Sequence, residues 1–169
     1  MNIAAFDVGL SGAACLLQVD AGYRSVASII DMPTLPDGTN RQVDVPAICR
    51  WIDKWHPEYA IIENVQPMPS IPGTNGIRRG MGAASSFRFG FAVGQIRAVA
   101  ACYGLKIRLV HPQSWKRHHG LKGSDKEHSR MKALELMPLT EPYLRRVKDH
   151  NRAESCLLAI YGADSMGML

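Results

Sequence analysis

The chain has no apolar run near the roughly 20 residues of a membrane span, and no basic-then-apolar leader opens it. Neither a membrane-spanning nor a secreted protein is therefore expected. Its four cysteines, Cys15, Cys49, Cys102 and Cys156, are scattered through apolar patterns without a CxxC pair. That argues against a disulfide framework and for reduced thiols inside a cell, in the cytoplasm or nucleoid of a host cell or in an organelle. None of the six histidines stands at a zinc-ligand spacing from a cysteine. Repeats and low-complexity tracts are missing too, so residues 1–169 read as one domain.

What is present is a normal apolar fraction of 46%, a net charge of +5, and acids in unusual places. Asp7 closes the apolar run Ile3-Ala4-Ala5-Phe6, and Glu63 closes Tyr59-Ala60-Ile61-Ile62. Asp149 and Glu154 open the last apolar helix. A carboxylate at the edge of a core is costly unless it meets a cation or a donor. Each acid also has an ordinary explanation. Asp7 could be a turn residue, Asp149 a helix cap, and Glu154 a partner for Arg152 or Arg145. Acids brought together from distant strand and helix ends would instead make a site for divalent metal.

The positive charge is concentrated. Between Lys106 and Lys132 lie eight lysines and arginines against Asp125 and Glu127. Arg78-Arg79 and Arg145-Arg146 add two clusters. This is either a solvated basic face or a surface for phosphates, and the neighbouring acids favour phosphates.

Apolar runs at Ile3–Asp7, Ala13–Val19 and Ser25–Asp31, joined by short glycine-containing turns, predict an antiparallel meander. Residues 33–40 read as a loop, and Pro46–Trp55 as a helix with Ile48, Trp51, Ile52 and Trp55 on one face. A strand over Tyr59–Glu63 should return parallel to the first. Residues 66–86 read as irregular. A helix is expected over Ser85–Tyr103, with Phe87, Phe91, Gly94 and Ala98 along one stripe and Gly90 and Gly94 open to a close neighbour. Lys106–Val110 should be a fifth strand. Ser124–Met137 should be a helix with a Ser124/Glu127 capping box, and Asn151–Gly162 a final helix with Ala153, Cys156, Leu157, Ile160 and Tyr161 facing the core.

Three stretches, taken in order, carry a family resemblance. Phe6-Asp7-Val8-Gly9-Leu10-Ser11-Gly12-Ala13-Ala14, Ile61-Ile62-Glu63-Asn64-Val65-Gln66 and Asp149-His150-Asn151-Arg152-Ala153-Glu154-Ser155-Cys156-Leu157-Leu158-Ala159 resemble the RuvC-type Holliday junction resolvases, in particular their phage and organellar branches. His111-Pro112-Gln113-Ser114-Trp115-Lys116 and Ser124-Asp125-Lys126 resemble that family's basic segment. The resemblance implies an α/β, ribonuclease H-like fold: a five-stranded mixed sheet, three strands antiparallel and then two parallel, flanked by helices. It implies a nuclease dependent on Mg²⁺ or Mn²⁺, with two ions per site, that acts as a homodimer and nicks four-way DNA junctions symmetrically.

On that resemblance Asp7, Glu63, Asp149 and Glu154 are the expected metal ligands and catalytic acids. Lys126, with Lys116 second, is the expected cation beside the scissile phosphate. Lys116, Arg117, Lys122 and Arg130, with Arg78 and Arg79, are expected on branched DNA. The family pattern has two acids three residues apart on the last helix, whereas Asn151 stands three before Glu154 here. Asp149 is five before it, about 500° around an ideal helix. Asp149 therefore belongs to the entering turn. Two other readings stay open: a ribonuclease H-like nuclease for RNA or RNA–DNA hybrids, and a junction-binding protein without catalysis.

Overall fold

The computed structural model describes residues 1–65, 71–72, 78–79, 82–121 and 126–167, with the backbone alone described at 71–72 and 78–79. Strands β1 (Asn2–Asp7), β2 (Ala13–Asp20) and β3 (Tyr23–Asp31) are followed by a hairpin of β4 (Thr34–Asp37) and β5 (Asn40–Val43). Helix α1 (Val45–Trp55) leads to β6 (Tyr59–Glu63) and to the short strands β7 (Ile71–Pro72) and β8 (Arg78–Arg79). Helix α2 (Ala83–Cys102), β9 (Lys106–Val110), α3 (Pro112–His118), α4 (Lys126–Leu136) and α5 (His150–Ser165) complete the order, with short 3₁₀ helices at Pro138–Tyr143 and Val147–Asp149.

The main sheet has five strands in the order β3-β2-β1-β6-β9. β1, β2 and β3 are antiparallel neighbours, while β6 runs parallel to β1 and β9 parallel to β6. This is the expected mixed sheet. Successive side chains on a strand point to opposite faces. Ala4, Phe6, Leu16 and Ile62 face a core with Ile48, Trp51 and Ile52 of α1 and Ile96 of α2. Ile3, Ala5, Cys15, Leu17 and Ile61 face a core with α5, through Cys156, Leu157 and Ile160. The sheet is thus covered on both sides, α1 and α2 on one and α5 on the other.

Local chemistry sets the element ends. Asp44 caps α1 by accepting from Ala47 N at 2.9 Å, and His56 ends it in the left-handed region at φ 44°. Gly12 packs so tightly under β1 that a Cβ there would lie 2.0 Å from the Asp7 carbonyl oxygen. Only glycine can close the β1–β2 turn in that way.

The structure departs from expectation in two places. Residues 34–43 form the β4–β5 hairpin, paired from Thr34–Val43 to Asp37–Asn40, where a loop was expected. Its proline and glycine content suits a tight turn as well as a loop. Pro112–His118 forms a helix of its own, with Pro112 in its first turn. The Phe87/Phe91 stripe of α2 is exposed, and a Cβ at Gly90 or Gly94 would meet nothing within 4 Å, so the face expected to admit a close neighbour is open. α2 packs on the sheet through Ala92, Ile96, Val99 and Ala100. The expected Ser124 cap lies outside the described residues. Among the described residues no helix is long and apolar enough to cross a membrane.

Candidate active site

β1 and β6 carry their acids to one place by register. Ala5 pairs with Ile61 and Phe6 with Ile62, so Asp7 and Glu63 fall at adjacent strand ends. Ile3, Ala5 and Ile61 belong to the α5-side core, and alternation puts Asp7 and Glu63 on that face too. α5 brings Glu154. It lies against β6 so closely that a Cβ at Gly162 would come 2.6 Å from Ile61 Cγ1. Glu154 is eight residues before Gly162, about 80° around the helix, so both fall within the broad stripe that α5 turns to the sheet.

The three carboxylates act on one another. Burial pushes the Asp7 carboxyl well above its ordinary value, and the charges of Glu63 and Glu154 push it further. Lys116 and Lys126 pull it back. Burial also raises Glu63, against the Trp115 hydrogen bond, while Glu154 adds to the rise and Lys116 and His111 oppose it. Trp115 Nε1 donates to Glu63 Oε1 at 2.8 Å. Ser129 Oγ donates to Glu154 Oε1 at 3.2 Å, and Lys116 Nζ stands 3.8 Å from the same oxygen. Asn151, one turn before Glu154, donates from Nδ2 to the Ser11 carbonyl and ties α5 to the turn that follows Asp7.

Asp149 is placed differently. Its side chain is buried and accepts from the Arg146 backbone N at 2.8 Å and from Arg146 Nη2 at 2.7 Å. These hydrogen bonds hold its carboxyl below the ordinary range, with Arg152 helping. Arg152 also forks onto Asp31 through two bonds of 2.6 Å. Asp31 pairs with Ala13, which pairs with Asp7, so this acid–arginine network sits about 10 Å across the sheet from Asp7. The reason is local: Arg146 lies three residues before Asp149 and reaches it within a single turn.

Of the expected DNA-binding residues, Lys116 joins the acids directly and Lys126 acts on Asp7 from the start of α4. Arg117 is exposed at the end of α3. Arg130 is turned inward, bonded to Glu127 and to the Leu144 carbonyl at 2.9 Å. Lys122 and the side chains of Arg78 and Arg79 lie outside the described residues. Trp115 and Ser129 escaped the sequence reading as site residues. A tryptophan destined for burial needs an acceptor for its N–H, but its partner lies 52 positions away.

The donor set suits a hard divalent cation in kind, because carboxylate oxygens are what Mg²⁺ and Mn²⁺ take. Two of the three acids are raised by burial and mutual repulsion, a cost that a cation would offset. Among the described residues, however, no group of three His, Cys, Asp or Glu side chains stands ready-made to hold a metal ion. Glu63 and Glu154 are each held on Oε1 by a donor, and bare acids do not close on one another unaided.

No protein-family model matches the chain. No curated protein matches it either. Solved structures do. A structure of Thermus thermophilus RuvC in complex with Holliday junction substrate has a TM-score of 0.68 at 13% identity, covering 99% of this chain and 98% of that one. The fold is similar to that of RuvC. A second Thermus thermophilus RuvC structure matches with a TM-score of 0.62 at 14% identity over the same shares. This likeness shows the fold, a ribonuclease H-like five-stranded mixed sheet flanked by helices. In the RuvC-like arrangement of this chain, Asp7, Glu63 and Glu154 come from three separate segments to one end of the sheet.

Proposed function

We propose that the chain is a divalent-metal-dependent endonuclease that resolves four-way DNA junctions by paired nicks, acting as a homodimer. The observation that carries this reading is the convergence of Asp7, Glu63 and Glu154 beside Lys116 and Lys126. Asp7, Glu63 and Glu154 would hold Mg²⁺ or Mn²⁺, with Asp149 able to join only after leaving Arg146. Bound there, such ions supply an activated water and stabilise the leaving oxygen of a phosphodiester.

The protein's own groups do the rest. Asp7, held at the end of β1 by the Gly12 turn, is the acid shared between its two neighbours. Glu63 and Glu154 flank it, each oriented by a neutral donor. Lys116 and Lys126 place positive charge where a phosphate would approach, which attracts the substrate and offsets charge that builds up in the transition state. Arg117 extends the basic surface along α3. The exposed, stacked Phe87 and Phe91 give α2 an apolar face for a second copy, and a twofold dimer matches the symmetry of paired nicks.

The test is to offer labelled four-way, three-way and linear DNA, and an RNA–DNA hybrid, with Mg²⁺, to wild type and Asp7→Asn. Wild type should nick the four-way junction, and Asp7→Asn should not. Cleavage of the hybrid alone would favour the ribonuclease reading. A second reading, a junction-binding protein without catalysis, is favoured by the lack of a ready-made metal group among the described residues. Junction binding without Mg²⁺-dependent nicking would establish it.

A further inference from the structure

Trp115 is 1% exposed, and the carboxylate it serves, Glu63, is 8% exposed. Leaving either group unpaired at such depth would be costly, so the 2.8 Å bond between them holds firmly. The next residue, Lys116, points its Nζ at Glu154. The seven residues of α3 therefore reach two of the three clustered acids through adjacent side chains, one neutral and one charged.

Resting on the nuclease reading above, we propose that Trp115 is a positioning residue. By donating to Oε1 of Glu63 it fixes the plane of that carboxylate and so the direction in which its other oxygen would face a divalent cation. Indole suits this role because it donates, cannot accept, and keeps its proton at any physiological pH. An arginine or lysine in its place would neutralise the acid and compete with the cation. A glutamate without such a donor would have to be ordered during binding, which weakens affinity. Hydrogen-bonded supports of this kind commonly change metal affinity by about 10–100-fold.

The test uses Mn²⁺ alone, titrated calorimetrically into wild type, Asp7→Asn and Trp115→Phe. Phenylalanine keeps most of the apolar volume and removes the N–H. Trp115→Phe should bind Mn²⁺ about tenfold more weakly than wild type, and Asp7→Asn should lose the binding. A second measurement needs no change at Trp115. Among the indole N–H resonances of the three tryptophans, one should both shift in Glu63→Gln and broaden when Mn²⁺ is added to wild type. Equal Mn²⁺ affinity in wild type and Trp115→Phe, or no resonance with that double response, overturns the positioning role and leaves the nuclease reading standing. Wild type without Asp7-dependent Mn²⁺ binding overturns the nuclease reading and the positioning role with it; a resonance that still shifted in Glu63→Gln would then mark the bond as structural only.

Discussion

Gly162 on α5 lies over Ile61 on β6 with no room between them for a methyl group. The contact sets the depth at which α5 meets the sheet, and with it the reach of Glu154 toward Asp7 and Glu63. Gly162→Ala should destabilise the protein by about 1–3 kcal/mol, the usual cost of overpacking. It should also reduce nicking more than that loss explains. Combining it with Ile61→Ala should cost less than the sum of the two single changes in denaturant unfolding. Simple additivity would refute the contact.

Asp7→Asn should be more stable than wild type at neutral pH while losing activity. The Asp7 carboxyl is raised by burial, so the folded state keeps that proton longer than the unfolded state. The stability contribution of Asp7 therefore falls as pH rises from about 4 toward its folded value and stays lost above it. Asparagine removes that loss, and the Tm at pH 7 should rise by roughly 2–5 °C. An unchanged Tm at pH 7 would contradict the burial of the charge.

Mg²⁺ should stabilise wild type through the same acids. At a hundredfold excess over its dissociation constant a ligand adds about 2.7 kcal/mol. The Tm rise should vanish on chelation and be absent in Asp7→Asn. A rise of equal size in that variant would place the ion elsewhere.

The arginine-bound acids should behave in the opposite sense to Asp7. Asp31 is held low by its Arg152 hydrogen bonds, and Asp149 by those from Arg146. Their contribution is complete above the ordinary aspartate value of about 4 and is lost as pH falls through the lower folded values. Arg152→Ala should lower the Tm at pH 7 and flatten its decline between pH 5 and pH 2. A parallel decline in both proteins would show that the network carries no acid sensitivity.

Phe87 and Phe91 are 75% and 51% exposed, with ring centroids 6.5 Å apart. Phe91→Asp should leave the far-UV circular dichroism unchanged, convert the proposed homodimer to monomer in sedimentation and lower the Tm only by the lost association, with paired nicks giving way to single ones. An unchanged sedimentation coefficient would refute this face as the site of the proposed homodimer.

Much of the frame is legible in the sequence alone. Apolar runs punctuated by glycine and proline marked β1, β2, β3, β6 and β9, and the helix between β3 and β6 implied the parallel return. Such signals are local, since one strand's alternation and one turn's residues are read within a few positions. The same locality let Asp7 and Glu63 stand out, because an acid closing an apolar strand is visible in its own segment. The β4–β5 hairpin was less legible, since proline and glycine serve hairpin and loop alike.

Partnership between distant segments could not be read in this way. The five positions between Asp149 and Glu154 put Asp149 in the entering turn, but do not say which partner each acid meets. Folding turns Glu154 toward Asp7, because the depth of α5 on the sheet follows from contacts such as Gly162 on Ile61, while Asp149 is taken within its own turn by Arg146. Trp115 finds Glu63, and Arg130 reaches the Leu144 carbonyl, for the same reason as Glu154. Residue type and spacing specify what a segment becomes; which charges end within reach of one another depends on how separate segments pack.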